Sequence, residues 1–498
     1  AAIALDAETL DAEALEQVTS VSQLSDVRPT DWAYTALQSL VERYGCIAGY
    51  PDGSFRGRTA MSRYEFAAGL NACLQQISEQ IEQTRLNQQD VATLQRLQSE
   101  FETELADLRE QVDSLEVRTA ELEANQFSTT TRLRGTVSIS TNGLFGGERA
   151  DGSGDDIDEN VTLNYRARLN FDTSFTGRDL LKVRLDALEP GRFGAATAGT
   201  NMTRLSFDRD TDGDFTIGKF FYRFPATEDL RFTIDAVRGA FQTNVPSYNP
   251  TFFNPVSGAV SRFGRFNPIY YQGITGAGVT ANYELNDVVA FSGGYLARNG
   301  EDPSDGSGLF NGSYAALAQL EISPTDDLGF GLTYARAYYP GGEAFVSGGT
   351  GSRLANAPFG QIATSSHQFG AQTSWRLADQ FLLSGWAGLT LANAQVDSAT
   401  VEDGDDATIL NWAISLAALD LVQEGDALGF LVGQPPRVLD NDSGPEDDDV
   451  AWHLESFYRY RLTDNIQLIP GVLVVFNPEH DSDNDTLFGV NLRTVFQF

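Results

Sequence analysis

The last fourteen residues, Asp485 to Phe498, alternate between two kinds of side chain. One side of the extended chain carries Phe488, Val490, Leu492, Thr494, Phe496 and Phe498. The other side carries Leu487, Gly489, Asn491, Arg493, Val495 and Gln497. Because successive side chains of a β-strand point to opposite faces, this pattern predicts a strand with a mostly apolar outward face that continues to an aromatic last residue.

Such a segment resembles the terminal strand of outer-membrane β-barrels, which implies a protein that works in a bilayer. A membrane-spanning helix needs about 20 consecutive apolar residues, and the sequence has no such run, so helical insertion is excluded. Barrel strands instead hide their apolar half by alternation. The net charge of -35 argues against nucleic acid as a partner, because a phosphate backbone would repel the chain.

Alternating segments of about ten residues, each bounded by turn residues, continue from Phe127 to the end of the sequence. Sixteen strands are predicted, at 128-141, 160-173, 179-189, 201-209, 214-222, 273-284, 287-297, 313-322, 327-338, 367-377, 380-391, 407-419, 427-433, 449-462, 465-476 and 486-498. Long and short connections alternate between them, as in outer-membrane barrels.

These segments predict a mainly β fold, a 16-stranded antiparallel transmembrane β-barrel over 127-498 with an aqueous lumen. An even strand count returns both ends of the barrel to the same side of the membrane. A soluble β-sandwich is the alternative, and the turn-loop rhythm and Phe498 favour the barrel over it.

Residues 223-272 form the one connection that is far longer than the others. Its aromatic residues include Phe252, Phe253, Phe263, Phe266, Tyr270 and Tyr271. A loop of this length is usually functional or disordered, and its aromatic content favours order. We therefore expect it to fold into the lumen and narrow the pore. The alternatives are an outer cap, a trimer contact, or a seventeenth strand at 230-238.

Basic residues dominate the polar faces of the early strands and the long connection. The predicted pore-lining and constriction residues are Arg132, Arg134, Arg166, Arg168, Lys182, Arg184, Arg204, Arg223, Arg231, Arg238, Arg262 and Arg265. The outer loops are acidic instead, so the sequence leaves the net charge selectivity open. Lys219 shares the parity of Phe215, Ile217 and Phe221, which indicates a β-bulge in that strand.

Residues 23-74 resemble one S-layer homology domain. The resemblance is carried by Asp26-Val27, Asp31-Trp32-Ala33, Gly49 to Arg56 and Ser62 to Phe66. It implies binding to peptidoglycan or a linked cell-wall polymer through Trp32, Asp52, Gly53 and Arg63. A guanidinium can hold a carboxylate or phosphate by two parallel hydrogen bonds, which favours binding for Arg63, whereas core packing is favoured for Trp32. Gly57 departs from the family pattern, and a single copy would bind weakly without oligomerisation.

Cys46 and Cys73 are the only cysteines. A disulfide between them would close a loop inside this domain and stabilise it by about 3 kcal/mol in an oxidising periplasm. Two buried free thiols are the alternative. No metal site is predicted, because two thiols without a nearby histidine provide too few ligands.

The segment 75-126 contains neither Gly nor Pro, and from Val91 to Leu122 it has a heptad seam. This pattern predicts a coiled-coil stalk after a flexible acidic lead-in at 1-22 and the 23-74 domain. The seam leaves the oligomer number open, and the resemblance to porins favours a homotrimer formed through barrel and coiled coil.

This order of domains resembles the major outer-membrane porins of cyanobacteria, whose barrels belong to the carbohydrate-selective porin family and include iron-uptake types. The resemblance implies an outer-membrane channel, embedded in outer-membrane lipid, for passive diffusion of small solutes and inorganic ions, tethered to peptidoglycan by a periplasmic domain. A structural tether with a narrow or plugged barrel and a carbohydrate-selective porin are the alternatives. No cofactor is expected, and the separate positions of His367, His453 and His480 argue against an enzyme.

Overall fold

The computed structural model describes residues 19-31, 33-47, 54-57 and 130-498, together with single positions 66, 70, 73, 76 and 77. The chain divides into two units, Ala1–Asn125 and Gln126–Phe498. The predicted binding residues Trp32, Asp52, Gly53 and Arg63 lie outside the described residues, as does the predicted coiled coil.

The N-terminal unit begins with a short 3-10 helix, Val21–Gln23, followed by an α-helix, Tyr34–Gln38, and a π-helical turn, Ser39–Arg43. A capping box closes the first helix, since Ser20 and Gln23 bond reciprocally to each other's backbone. Val21, Leu24 and Leu37 form a small buried cluster. Local caps and a minimal core thus stabilise this end of the domain.

Two further contacts join distant parts of the N-terminal unit. Asp26 accepts hydrogen bonds from the backbone N–H groups of Phe55 and Arg56, each at 2.6 Å. Cys46 and Cys73 form a disulfide, with their Cα atoms 4.6 Å apart.

The second unit is a closed antiparallel barrel in which each strand pairs with its neighbours in sequence. Its strands are β1 Thr131–Phe145, β2 Thr162–Thr173, β3 Leu180–Glu189, β4 Thr216–Pro225, β5 Leu230–Gly239, β6 Gly276–Glu284, β7 Val289–Ala297, β8 Tyr314–Thr325, β9 Leu328–Tyr339, β10 Thr364–Ala378, β11 Phe381–Ala394, β12 Asp406–Leu419, β13 Ala427–Asn441, β14 Trp452–Arg461, β15 Ile466–Phe476 and β16 Leu487–Gln497. The predicted fold class, a 16-stranded barrel, is confirmed.

The connections carry only short helices. These are Ala195–Ala198, Phe241–Asn244, Pro250–Phe253, Phe263–Arg265, Pro268–Tyr271, Gly308–Asn311, Arg353–Asn356 and Pro478–His480. In the described part of the chain, none of the helices combines the length and the apolar character of a transmembrane helix.

Two segment assignments are wrong although the strand count is right. Residues 201-209 are not a strand of the wall, because they belong to the long connection between β3 and β4. Residues 230-238, offered above only as an extra strand, form β5. The long loop consequently starts at residue 240 rather than 223, since 223-225 end β4.

The first and last strands close the barrel. Their register runs from Thr136↔Gln497 to Phe145↔Phe488. Beyond the paired residues, Gly135 and Phe498 exchange two backbone hydrogen bonds of 2.6 and 3.1 Å. A Cβ atom at position 135 would lie 2.2 Å from the Phe498 ring, so only glycine allows the terminal aromatic to lie across β1.

Alternation along the strands gives the wall two different faces. On β16, Phe488 and Leu492 are exposed on the outside, whereas Asn491 and Arg493 are buried on the inside. The chain ends of the barrel lie at the edge that has the short turns, which we call the turn end, and the long connections lie at the opposite loop end. An apolar outer face on a closed barrel is what a bilayer requires of a β protein.

Candidate functional site

A single long segment enters the barrel between β5 and β6. We call residues 240-275 the inner segment. Its two ends lie at the loop end, and its hydrogen bonds are made with inward-facing residues of β4, β5 and many later strands. It therefore lies in the lumen.

Polar side chains attach the inner segment to the wall from β5 to β12. Asn244 donates to Asp235 on β5 at 2.6 Å and to Thr280 on β6 at 3.1 Å. Tyr270 donates its hydroxyl to Gln319 on β8 at 2.6 Å. Further along, Asn267 donates to the Ala387 carbonyl of β11, and Ser415 of β12 donates to Asn249. These bonds satisfy polar groups that the lumen buries.

Two charged residues attach the middle of the inner segment to the wall. Glu455 on β14 accepts hydrogen bonds from the backbone N–H groups of Val260 and Ser261, at 3.2 and 3.0 Å. Arg493 on β16 donates to the carbonyls of Gly258 at 2.7 Å, Ala259 at 3.0 Å and Pro255 at 3.3 Å. Charge-assisted bonds of this kind are stronger than neutral ones, so this pair is the firmest attachment of the segment.

Backbone of the inner segment approaches β14 very closely. A Cβ atom at Gly264 would lie 2.5 Å from the Glu455 carboxyl, and one at Gly258 would lie 2.6 Å from the Phe252 carbonyl. Gly264 is therefore required for the close approach of Glu455, whereas Gly258 is required where the inner segment packs against its own backbone.

Apolar packing accompanies these hydrogen bonds. Phe252 packs edge-on against Phe457 with ring centroids 5.0 Å apart, and Phe263 packs in the same manner against Trp386 at 5.7 Å. A second cluster around Phe266 continues along the inner segment. Much of the barrel interior is thus a packed core rather than open water.

The first three strands differ from the rest of the wall in their hydrogen bonding, although Leu144 of β1 belongs to the apolar core cluster. Within residues 130-498, no hydrogen bond joins the inner segment to β1, β2 or β3. We therefore expect a passage along the lumen to lie beside the inward face of these three strands, where Arg132 and Arg134 are exposed.

The inward face of β1 to β3 is basic, and we call it the basic wall. It contains Arg132, Arg134, Arg166, Arg168, Lys182 and Arg184. Only two carboxylates share this face. Lys182 pairs with Asp172 at 2.6 Å, and Arg168 pairs with Asp186 at 2.9 Å. The remaining positive charges have no carboxylate of their own on these strands, so the face carries a net positive charge.

Other predicted pore residues have different positions. Arg223, Arg231 and Arg238 lie on β4 and β5 rather than in a loop. Arg204 lies in the connection after β3, where it pairs with Asp208.

Arg262 and Arg265 are buried within the inner segment, so the prediction that they line the pore is wrong. Arg262 donates to the Gly348 carbonyl at 2.9 Å and lies 3.8 Å over the Tyr271 ring, and Arg265 donates to the Phe253 carbonyl at 3.0 Å. Aromatic rings and carbonyls thus hold these cations inside the core.

The predicted bulge at Lys219 is confirmed, since the pairing of β3 with β4 shifts register between Arg184 and Leu185. The shift turns Lys219 inward, where it lies 3.6 Å from Asp235 and donates to Thr243 of the inner segment. The bulge thus directs the Lys219 side chain towards the inner segment, which it helps to attach to the wall.

At the loop end, buried carboxyl groups join one interstrand loop to another by hydrogen bonds. Glu479, between β15 and β16, accepts from the backbone N–H of Arg353 at 2.7 Å and from Thr200. Asp447, between β13 and β14, accepts from Ser352 at 2.9 Å. Burial raises the pKa of Glu479 to about 7 and that of Asp447 to about 6.

Raising the pH from 5 to 8 is expected to loosen these connections. Both pKa values are raised above ordinary values of 4.5 for Glu479 and 3.8 for Asp447. Their stabilising effect is therefore complete below those ordinary values and is lost as the pH rises through about 6 and about 7. For Glu479 the free energy of loop opening should fall by roughly 2 to 3 kcal/mol.

Hydrogen exchange of the amides in 340-363, measured at both pH values, tests this expectation. Glu479→Gln should remove the change in exchange rate near pH 7. Glu402→Gln, in an exposed part of the connection between β11 and β12, should leave that change as it is in the unmodified protein. Equal pH dependence in Glu479→Gln and the unmodified protein would contradict the assignment.

The structure provides no evidence for a metal site in its described residues, where no group of three or more His, Cys, Asp or Glu is suitably placed. His453 is buried and lies 3.0 Å from the Ser261 hydroxyl and 3.4 Å from Glu455. Phe263 packs on its ring at 5.1 Å, so this trio is part of the attachment of the inner segment.

Glu455, Arg493 and Asn267 are the functional residues that the sequence did not reveal. Each lies on a predicted polar face or in the long loop, yet each acts by bonding to backbone groups. The sequence contains one signal for such a residue, namely a single charged side chain on an inward face, as for Arg493 between Asn491 and Val495.

Comparison with known families gives two matches. Residues 88-498 match the model of the carbohydrate-selective porin family OprB, and residues 23-67 match the S-layer homology domain. The two matches together span most of the chain.

Two relatives match over nearly the whole of this chain. An uncharacterized protein of Synechocystis sp. is 40% identical over an alignment that covers 97% of this chain and 92% of the relative. An uncharacterized protein of Nostoc sp. is 39% identical, with 97% and 86% covered. Among solved structures, OprB of Pseudomonas putida superposes with a TM-score of 0.50 at 12% identity, covering 76% of this chain and 96% of that chain, which supports the barrel fold.

Proposed function

The chain belongs to the carbohydrate-selective porin family OprB, and we propose that its barrel lets small solutes and inorganic ions diffuse passively across the outer membrane. It is an outer-membrane porin with a periplasmic S-layer homology domain, and its family consists of channels rather than enzymes. The turn end of the barrel, which holds both strand termini, then faces the periplasm.

One observation supports diffusion through this particular barrel. The inner segment is hydrogen-bonded to strands of the wall from β4 to β16 but makes no such bond to β1, β2 or β3 within residues 130-498. A charged face, on which Arg132 and Arg134 are exposed, thereby remains without hydrogen bonds to the inner segment. Solutes passing along it would meet arginine and lysine side chains, which suits small hydrophilic cargo.

Planar-bilayer recording of the purified full-length protein tests this proposal. We expect stepwise, ohmic single-channel currents in KCl, with a small unit conductance because the inner segment fills much of the lumen. Complete absence of steps would instead favour the second candidate, a structural tether with a plugged barrel, for which the aromatic clusters inside the lumen are the supporting observation.

The family name raises the question of carbohydrate passage. A liposome-swelling assay with glucose would measure it, and swelling no faster than that of protein-free liposomes would favour the ion-diffusion proposal over a sugar channel.

We further propose that the S-layer homology domain attaches the porin to peptidoglycan or a linked polymer and that the protein is a homotrimer. A single domain copy binds weakly, so three copies in a trimer would increase the overall avidity, by 100-fold or more in order of magnitude. Chemical cross-linking in detergent would measure the oligomer number.

Arg63→Ala is expected to reduce co-sedimentation with purified peptidoglycan by about tenfold, because a bidentate charged contact to an anionic polymer would be lost. Arg43→Ala, in the same domain but outside the proposed site, is the matched control. Unchanged sedimentation of the Arg63 variant would show that another surface binds the wall.

A further inference from the structure

One part of the basic wall contains more guanidinium groups than its carboxylate can neutralise. Asp186 on β3 lies 2.9 Å from Arg168 Nε and 3.2 Å from Arg184 Nε. Arg209 and Arg238 also lie within electrostatic range of the same carboxylate. One negative charge therefore faces four positive charges in a region that is largely screened from bulk water.

Backbone structure fixes Asp186 among these arginines. A Cβ atom at position 218 would lie 2.1 Å from the Asp186 carboxylate, so Gly218 on β4 makes room for it. Arg184 donates Nη2 to the Gly218 carbonyl at 2.7 Å. The arrangement is thus held by two adjacent strands and does not depend on a mobile loop.

Arg166, two residues before Arg168 on the same face of β2, is buried without a hydrogen-bond partner in the described structure. Arg166 on β2 is only 6% exposed, and its guanidinium lies 5.2 Å from the centre of the Phe207 ring. Among the described residues, nothing bonds to its Nε or Nη1 atoms. A buried, unpaired cation is costly, and a bound anion would remove that cost.

The donors of this cluster are largely unused by the protein. Arg168 contributes only Nε to Asp186, so within residues 130-498 its two terminal nitrogens have no protein acceptor. Planar guanidinium groups match the oxygens of tetrahedral oxyanions by paired N–H···O bonds. Sugar hydroxyls could accept some of these bonds, but they would leave the excess charge uncompensated.

Resting on the proposed channel function, we infer that Arg166, Arg168 and Arg184 form a binding site for a small divalent oxyanion, of the phosphate or sulfate type, on the basic wall. The anion would neutralise the excess charge around Asp186 and would exchange with solvent from the passage. The porin would then concentrate such anions at mid-wall.

Isothermal titration of inorganic phosphate into the detergent-solubilised full-length protein tests the site directly. We expect saturable binding at pH 7.5, weakened about tenfold or more in Arg166→Gln, because a charged hydrogen-bond donor is lost. Arg166 makes no ion pair in the described structure, so this substitution leaves no carboxylate unpaired. Arg166→Lys should bind with intermediate affinity, since it keeps the charge without the planar fork.

Arg178→Gln, an exposed arginine in the turn between β2 and β3, is the matched control and should bind as the unmodified protein does. Heat-modifiable migration on gels would confirm that each variant folds. No phosphate binding by the unmodified protein, or equal binding by Arg166→Gln, would overturn the site.

Single-channel recording separates this inference from the channel proposal. Phosphate added at constant ionic strength should reduce the chloride current with the same half-saturation as in the titration. Failure to reduce an existing chloride current would place the anion outside the passage and overturn a site on the basic wall. Absence of any current alongside saturable binding would count against the channel and support the site.

Discussion

Removing most of the inner segment is expected to enlarge the conductance several-fold. In the test variant a short Gly-Ser linker replaces residues 247-271. These residues bury the aromatic rings that fill the lumen, and a barrel of sixteen strands without them encloses a wide aqueous channel. The unit conductance in planar bilayers should rise to roughly three times its original value or more, on the scale of that lumen.

A matched deletion distinguishes a constriction from a general effect of shortening a loop. Residues 397-403, between β11 and β12, form mainly local hydrogen bonds, such as Ser398 to Val401. Their replacement by the same linker should leave the conductance within error of the original. If both deletions enlarge the conductance equally, the inner segment does not set the pore size.

Substitution of Arg493 is the second change with a large expected effect. Arg493→Gln should destabilise the docked inner segment by about 3 to 5 kcal/mol, because three buried carbonyls lose their donor and Glu455 loses a nearby compensating charge. Limited proteolysis of the folded barrel should then cleave within 240-275, and single-channel traces should flicker between conductance levels.

Arg459→Gln gives a graded comparison. Arg459 also reaches the inner segment from β14, but through one 3.3 Å bond to the Ser257 carbonyl. Its loss should cost about 1 kcal/mol and leave the segment resistant to protease. Equal resistance in the Arg493 and Arg459 variants would refute the view that Arg493 is the principal attachment.

Period-two alternation predicted most of the wall because lipid and lumen impose opposite demands on adjacent residues. The same signal failed at 201-209 for a physical reason. That stretch is irregular apart from an isolated β-bridge between Leu205 and Ser261, so its alternation reflects burial against the inner segment. Conversely, 230-238 is predicted only as an extra strand, because a seventeenth strand would make the strand count odd. The pairing of β5 with β6 also shifts register between Asp235 and Gly239, near Arg238.

The length of β13 was hidden by a different effect. Pro435 and Pro436 look like a strand end, since proline cannot donate to a ladder. The strand nevertheless continues to Asn441, and the pairing with β12 tolerates the prolines through register shifts. Local propensity was overridden here by the neighbouring strand.

The candidate site was only partly predictable. The arginines of β1 to β3 were identified because strand parity fixes which way a side chain points. The burial of Arg262 and Arg265 depends on how the irregular inner segment folds back on itself. The sequence carries no periodic signal for that fold. The roles of Glu455 and Arg493 depend on main-chain partners about 195 and 235 residues away, a separation that no local pattern encodes.

The position of Arg493 on the strand that pairs with β1 has a consequence for the order of assembly. Arg493 follows the inner segment by about 235 residues in the chain, and it belongs to the strand that completes the ring. A wall without β16 therefore lacks the Arg493 donors that hold residues 255-259 in the lumen. During assembly, the pairing of the first and last strands and the docking of the inner segment would then occur as one cooperative step.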